Sequence, residues 1–536
     1  MTPLTQTKSN IIFAGRGAIN ISYHKQTEQN IPYWLDSTSR PEFTTLTEDI
    51  EVDVAIIGGG MVGITSAYLL GQEGLSTAII EADRILRGTT GHTTAKITSQ
   101  HSLIYAQLKK KVGEEKARQY AEANETAIHT IGDIIKENDI QCDFTAMPAY
   151  VYTQSDKYIQ DIEDEVQAAC SLGIKAEFTD ELHLPFPVKA AVRFHDQAQF
   201  HPLKYLDTLT QKATDSGTRI FEQTRAMNIE REGSDRYLIV THSGRRVRAG
   251  QVIIATHFPF YDGGGFYFAR IYVTRSYALG VTMEDQLPRG MYISAEDPIR
   301  SLRTQPYKDG ELVIVGGDSH KTGQDDDTSQ HYQNLARWAR DTFRVTDIPY
   351  QWSTQDCMTL DLIPYVGRLT RSEPGIYVAT GFNKWGMTNS TASAMLLRDL
   401  IIKGDSPWAE VYNPSRFPDL GELVIQNADV AKQYVIGKIS MSPRESEIDA
   451  GDARVISCHG EKTGAYRDED NQLHLVDITC THMGCELSWN NAERTWDCPC
   501  HGSRFTPEGA IVEGPALNYL KPIEESRNDV EPNVIQ

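Results

Sequence analysis

Glu51-Val-Asp-Val-Ala-Ile-Ile57 runs directly into Gly58-Gly-Gly60-Met-Val-Gly63, and this junction decides the fold. The first seven residues are mostly apolar and β-branched, the composition of a strand buried in a parallel sheet. Ile64 to Leu70 begins a helix, and Leu75-Ser-Thr-Ala-Ile-Ile80 is a second strand ending at Glu81. A G-x-G-x-x-G turn inside a βαβ unit, with an acid 18 residues after the last glycine, is a dinucleotide fingerprint. Gly58 allows the tight turn, Gly60 lets the backbone approach a pyrophosphate, and Gly63 lets helix and strand pack closely. The helix N-terminus offers free N–H groups to the anion, and Glu81 accepts from a ribose hydroxyl. Val54 to Leu70 is uncharged, but its glycines and its change of period exclude a membrane span.

Three features favour FAD over NAD. Val247 to Ile254 is a further apolar strand ending in Ala255-Thr256-His257. Gly375-Ile-Tyr-Val-Ala-Thr-Gly381-Phe-Asn-Lys384-Trp-Gly386-Met387-Thr reads as strand, glycine turn and the start of a helix running to about Ile402. Such a helix N-terminus can face the flavin edge that becomes anionic on reduction. Leu312-Val-Ile-Val-Gly-Gly317 suits a second, substrate-bearing sheet.

Residues from about Tyr33 to Arg416 resemble the flavin oxidoreductases of the D-amino-acid oxidase, glycine oxidase and sarcosine oxidase superfamily. The matching elements are the Gly58/Gly60/Gly63 turn with Glu81, the Ala255-Thr256 strand end and the Gly381…Gly386 turn. The resemblance implies an α/β FAD-binding Rossmann-type domain interleaved with an α+β substrate domain. The expected division is an N-terminal extension at 1–32 and a flavoprotein at 33–410. FAD-binding parts are expected at 50–98, 200–257 and 351–410, and a substrate domain at 99–199 and 258–350. In the run Gly88-Thr89-Thr90-Gly-His92-Thr-Thr-Ala-Lys96, Thr89 and Thr90 are expected to wrap the cofactor. His92 matches the spacing of a covalent histidyl–FAD bond in one branch of the family, although a polar contact to non-covalent FAD is the simpler expectation. Lys384 and Met387 join the cofactor set. Cys357 misses the position of the family's covalent cysteine by three residues and reads as a buried structural thiol.

The substrate pocket is the least specified part. His201, Arg270, Arg275, Tyr277, Arg303, His320 and Lys321 are candidates, with Arg303, His320 and Tyr277 put forward as catalytic. In amino-acid-oxidising members an arginine pairs with the substrate carboxylate, a role assigned here to Arg303.

A second site lies near the C-terminus, where Cys480-Thr-His482-Met-Gly-Cys485 is followed after 12 residues by Cys498-Pro-Cys500-His501-Gly-Ser503. Two cysteines and two histidines also suit zinc. The C-x-H and C-P-C-H-G-S frames instead resemble the Rieske [2Fe–2S] family. That resemblance implies Cys480, His482, Cys498 and His501 as cluster ligands and Cys485 with Cys500 as a disulfide. Two neutral imidazoles in place of two thiolates remove negative charge and raise the potential. A small all-β domain is expected at 433–525, after a proline-punctuated linker at 411–432 and before a tail at 526–536.

The chain has 536 residues with 40% hydrophobic and 23% charged residues, which excludes disordered, collagen-like and multi-span membrane classes. Its formal net charge of −21 argues against nucleic acid and anionic membranes as partners. From Ser442 onward, 8 Lys+Arg stand against 18 Asp+Glu, a net −10. That acidity serves solubility first and offers a face to a basic redox partner second. Met1 to Asn20 shows no signal peptide, so a cytoplasmic location is expected.

A flavin takes two electrons and a [2Fe–2S] cluster carries one, so the pairing predicts a dehydrogenase. It would act on a C–N bond of an amine or amino acid and pass electrons to an external acceptor, protein or quinone. The other class considered is a reductase or sensor that transfers electrons without an amine substrate; it would need a nicotinamide site, and only one full fingerprint is present. High-potential Rieske proteins carry a tyrosine where this sequence has Phe505, so one hydrogen bond to the cluster is missing and a lower potential is expected. Phe505→Tyr is therefore expected to raise the cluster's midpoint potential. Redox titration against the wild type checks this, and an unshifted midpoint contradicts it.

Overall fold

The strand Ile50–Ile57 lies inside a sheet, parallel to Thr77–Ile80 on one side and to Arg246–Ile254 on the other. The computed structural model describes residues 30–439, 448–458 and 461–523; the expected extension (apart from 30–32) and tail lie outside them. The C-terminal half of Arg246–Ile254 also pairs in parallel with Ile376–Thr380, and its N-terminal half pairs antiparallel with Arg236–Thr241. Every side chain of Thr77–Ile80 and Ile376–Thr380 is buried. Helices Met61–Gln72 and Gly386–Ile402 pack on each other against this sheet. The Gly63 position admits no larger residue, because a Cβ there would sit 2.0 Å from the Gly58 carbonyl oxygen. Gly58 itself has φ +110°, a conformation that glycine alone adopts without strain.

The second sheet has eight strands, with Val345–Thr359, Ile271–Met283 and Gly310–Lys321 adjacent and antiparallel. Its period of two is explicit in packing. Ala278 and Ile314 join the core shared with the first sheet, while Leu279, Val281, Val313 and Val315 face a separate core under helix Ser329–Thr342. Val345–Thr359 belongs to this sheet throughout, so the boundary expected at 350 falls inside a strand.

The C-terminal module consists of a three-stranded sheet, starting at Ala453–Cys458, and a four-stranded sheet, Ser488–Asn490 to Ile511–Glu513. Trp496 and Phe505 are fully buried between them. The stretch read as linker holds a helix, Leu420–Ile439, which crosses the boundary expected at 433. Pro418 blocks an earlier start, and Asp419 Oδ1 accepts from the N–H groups of Gly421 (2.8 Å) and Glu422 (3.3 Å), an N-cap. Lys321–Asp429 (2.6 Å) and Lys111–Glu422 (2.8 Å) tether the helix to the flavoprotein half. No helix among the described residues is long and apolar enough to cross a membrane.

The two modules meet over a polar, buried seam. Thr328 Oγ1 lies 2.6 Å from Asn490 Oδ1 and 2.7 Å from Asn491 Oδ1, with one proton to donate between them, and Tyr332 donates to Glu493 (2.8 Å). Arg275, fully buried, faces Glu513 across the seam at 3.5 Å, and Glu513 also pairs with Arg504 at 3.4 Å. Removing one member of such a group strands buried charge. Glu513→Gln is accordingly expected to lower the unfolding free energy by about 1–3 kcal/mol, read as an earlier midpoint in urea or heat for both modules together. A midpoint unchanged from wild type would show that the seam charge does not hold the modules.

Candidate functional site

A cavity of about 410 Å³ opens at the C-terminal ends of the parallel strands, between the two sheets. This is where an α/β sheet binds ligands, because helix N-termini and strand carboxyl ends converge there. Gly58, Gly60, Glu81, Thr89, Thr90 and His92 form one wall, and Ala255, Lys384, Gly386 and Met387 form another. Gly63 and Gly381 stand behind the wall and shape it: a Cβ at Gly381, at φ +73°, would meet Thr359 Cγ2 at 2.3 Å. Glu81 closes the nucleotide end, accepting from the N–H groups of Gly59 (2.7 Å) and Asp83 (2.9 Å). Burial raises its pKa against those two donors. Thr90 Oγ1 accepts from Met61 N–H at the first turn of the helix (3.1 Å). His92 Nδ1 lies 2.9 Å from the Gly88 carbonyl, and burial lowers its pKa. The glycine turn, the open helix terminus and the carboxylate at the strand end fit the diphosphate and ribose of FAD.

The catalytic set read from sequence does not assemble here. Arg303 is fully buried outside the cavity wall and spends its donors on the carbonyls of Ala95 (2.7 Å), Phe200 (3.1 Å) and Thr304 (3.1 Å). It bridges segments of the chain and does not face a substrate. His320 touches the cavity only through Tyr277, whose hydroxyl lies 3.0 Å from its Nε2; its Nδ1 is 2.9 Å from the Lys321 carbonyl. Tyr277 does line the wall. Among the other candidates, Arg270 donates to Pro414 and Arg416 carbonyls and Arg275 belongs to the seam. Lys321 is paired with Asp429, and His201 accepts from Lys204 N–H at a helix start. Cys357 is fully buried.

Sequence did not reveal the side-chain partners of Lys384 or the isolation of Lys96. Lys384 Nζ donates to Ser276 Oγ (2.9 Å), which donates to Asp356 Oδ2 (2.9 Å). Burial raises the Asp356 pKa and lowers that of Lys384. Lys96 is buried at the wall with no hydrogen bond or ion pair among the described residues, and burial, aided by Arg303, brings its pKa to about 7. The signal was the run of small hydroxyl residues ending in a lysine, which carries no spacing rule.

The second site lies in loops 480–485 and 498–503. Cys480 and Cys498 are buried with their thiols within hydrogen-bonding reach of each other, and Ser503 Oγ is close to Cys480. The rings of His482 and His501 face them, 5.0 Å apart and nearly perpendicular. The Nδ1 atoms of both rings are buried without partners among the described residues. Buried imidazole nitrogens left bare beside two thiols fit ligands of a metal centre. Cys485 and Cys500 are disulfide-bonded, tying the two loops together. Phe505 is fully buried and offers no donor.

The two sites adjoin. Residues 511–517 of the C-terminal module line the cavity beside those of the first sheet. The His501 ring meets those of Phe258 and Phe268, and the Phe268 carbonyl is within hydrogen-bonding reach of it.

Comparison with known proteins assigns a family to each module. Residues 53–400 match the family described as FAD dependent oxidoreductase, and residues 440–524 match the Rieske [2Fe-2S] domain. A Bacillus subtilis (strain 168) protein, YhfW, described as a Rieske 2Fe-2S iron-sulfur protein, is 45% identical over 94% of this chain and 99% of its own. The gamma-glutamylputrescine oxidoreductase of Escherichia coli (strain K12) is 24% identical over 71% of this chain and 90% of its own. Glycine oxidase from Geobacillus kaustophilus superposes with a TM-score of 0.57 at 16% identity, covering 69% of this chain and all of that one. That last likeness concerns the fold alone.

Arg303→Met is expected to cost about 2–4 kcal/mol of stability, because buried carbonyls lose their donors, while the KM of the folded fraction stays at the wild-type value. Thermal unfolding and steady-state kinetics separate the two; a raised KM at wild-type stability would return Arg303 to the substrate.

Proposed function

The chain belongs to the FAD dependent oxidoreductase family and ends in a Rieske [2Fe-2S] domain, and on that premise we propose a dehydrogenase acting on a C–N bond of an amine or amino acid. The observation that carries this reading is the shared wall: residues 511–517 of the cluster module line the flavin cavity. An oxidase that hands electrons to O2 needs no iron–sulfur exit beside its flavin. One relative is named for gamma-glutamylputrescine, which supports an amine substrate class.

When bound, FAD supplies the two-electron oxidation of the substrate carbon and the cluster carries those electrons onward singly to an external acceptor. The residues of this chain govern protonation and orientation. An amine gives up its electrons only as the neutral base. Asp356, with a raised pKa in a buried site, is suited to take the ammonium proton at a carboxylate oxygen. Ser276 fixes that carboxylate by donating to Oδ2, and Lys384 fixes Ser276. Lys96, buried without a counter-ion, gains an anionic partner when the substrate carries a carboxylate. The cluster module roofs the cavity and limits water there. The resulting imine hydrolyses to a carbonyl compound and the amine.

The test is an anaerobic screen of amines and amino acids for bleaching of the flavin absorbance, followed by EPR of the cluster. Bleaching by an amine with the reduced-cluster signal supports the proposal; bleaching by NADH alone supports the reductase reading and refutes it. Asp356→Asn is expected to slow flavin reduction by roughly 10²–10⁴-fold. Because Lys96 is a cation only below about pH 7, the KM of carboxylate-bearing substrates should rise as pH increases through that value. Lys96→Met should raise KM at low pH and remove this limb, and a simple amine should not show it.

A further inference from the structure

The two histidines of the cluster site have different surroundings. His501 is buried, and Phe258 and Phe268 each meet its ring edge-on at 6.2 Å. Phe258 also lines the flavin cavity, so one aromatic side chain touches both sites. Gln355 makes a second bridge. Its carbonyl accepts from Thr89 Oγ1 (3.3 Å) on the flavin side and lies 3.0 Å from His257 Nε2. Its side-chain amide donates to the Gly502 carbonyl (2.9 Å), next to His501. Gly502 has φ +74°, and a Cβ there would stand 2.6 Å from Val273 Cγ2. The loop is therefore pressed onto the flavoprotein half with no room to spare.

His482, by contrast, is half-exposed. Met483, its neighbour in the chain (47% exposed), Tyr519 (47%) and Phe266 (54%) are three large apolar side chains open to solvent. Thr481 Oγ1 donates to the Asn518 carbonyl (2.6 Å), which holds the Tyr519 loop beside the cluster loop. Asp262 lies within electrostatic reach of His482 and accepts from the N–H groups of Phe266 (2.9 Å) and Tyr267 (2.8 Å). Those bonds hold Phe266 in the left-handed region, φ +54°, where a bulky residue is strained. Backbone strain at an exposed aromatic residue is the kind of outlier that motivates a functional contact at this surface.

The geometry points to a one-way electron route across the cluster: in at His501 from the flavin cavity through Phe258 and Gln355, and out at His482. There a small one-electron carrier protein seats an apolar centre on Met483, Tyr519 and Phe266 and a basic rim on the acidic module. This rests on the reading that the cluster is the flavin's outlet. The balance is one electron per passage. The reduced flavin is oxidised by one electron as the cluster is reduced by one. The cluster is then reoxidised as the carrier is reduced by one. Two carriers are consumed for each two-electron oxidation of substrate, and the protons go to solvent. A net −10 from Ser442 onward favours a basic carrier by charge complementarity.

The test uses the holoprotein with cytochrome c, a basic one-electron haem protein, as the probe, and ferricyanide as a small acceptor that needs no docking. With the cluster reduced by dithionite, Met483→Lys and Phe266→Lys are expected to weaken cytochrome c binding by about tenfold or more. They should slow its reduction equally and leave ferricyanide reduction and the cluster EPR spectrum unchanged. Wild-type binding should weaken as salt rises. In the second arm the flavin is photoreduced with EDTA. Phe258→Leu and Gln355→Leu are expected to slow appearance of the cluster signal by about tenfold, with cytochrome c binding unaltered. Unchanged cytochrome c binding in both lysine variants, or equal loss with ferricyanide, overturns the docking site. Unchanged cluster reduction in both bridge variants overturns the route. A wild-type cluster that never takes electrons from photoreduced flavin refutes the functional reading itself, while the dithionite arm still reports on docking.

Discussion

The arrangement depends on burying Arg275 at the meeting of two modules that the sequence places far apart. Arg275 sits in the long strand Ile271–Met283, and Glu513 ends the last strand of the C-terminal module. A guanidinium taken out of water alone is costly, and its desolvation is offset only when an anion completes it. Glu513 does so while also serving Arg504, which in turn holds buried Asp497 at 3.1 Å. Arg275 thus gains its ion pair with Glu513 only when the cluster module is seated. Seating it brings residues 511–517 to the cavity and the His501 ring to Phe258. Position of the cofactor sites follows from where the charge can be neutralised.

The parallel strands were legible because their rules are local. A β-branched run, three spaced glycines and a terminal acid dictate strand, turn, helix and strand, and Gly63 has no alternative, because a Cβ there would fall 2.0 Å from Gly58 O. The cluster ligands were legible for the same reason: spacing within two short loops is a local property, and the paired loops close through Cys485 and Cys500. The linker was not legible. Its prolines, Pro414 and Pro418, suggested an irregular segment, yet the second stops just before Asp419, and proline followed by an N-capping acid begins a helix as readily as it ends one. Its contacts with Lys321 and Lys111 are long-range and leave no periodic trace.

The substrate side was the least legible, and for a definite reason. Arginine is chosen both for carboxylate recognition and for tying buried carbonyls together, since one planar donor set serves either end. Arg303 shows the second use: its donors reach Ala95 and Phe200, which lie more than a hundred residues away in sequence. Asp356 passed unnoticed because its neighbours Ser276 and Lys384 come from a facing strand and from the turn before a helix. Only register across the sheet, with Thr274 opposite Asp356, brings them together.

The cavity therefore holds two lysines in unequal states. Lys384 is joined through Ser276 to Asp356, while Lys96 has no described partner and approaches neutrality near pH 7. An apolar or cationic occupant would leave Lys96 to shed its proton. An anionic occupant would hold the proton in place, and its binding would be coupled to proton uptake above that pH. On the reading proposed above, a substrate bearing both an amine and a carboxylate meets each group with its complement: the ammonium proton goes to Asp356, and the carboxylate keeps Lys96 charged. A simple amine would satisfy only one of them, so the difference in buried charge alone favours an amino acid over an amine of the same size.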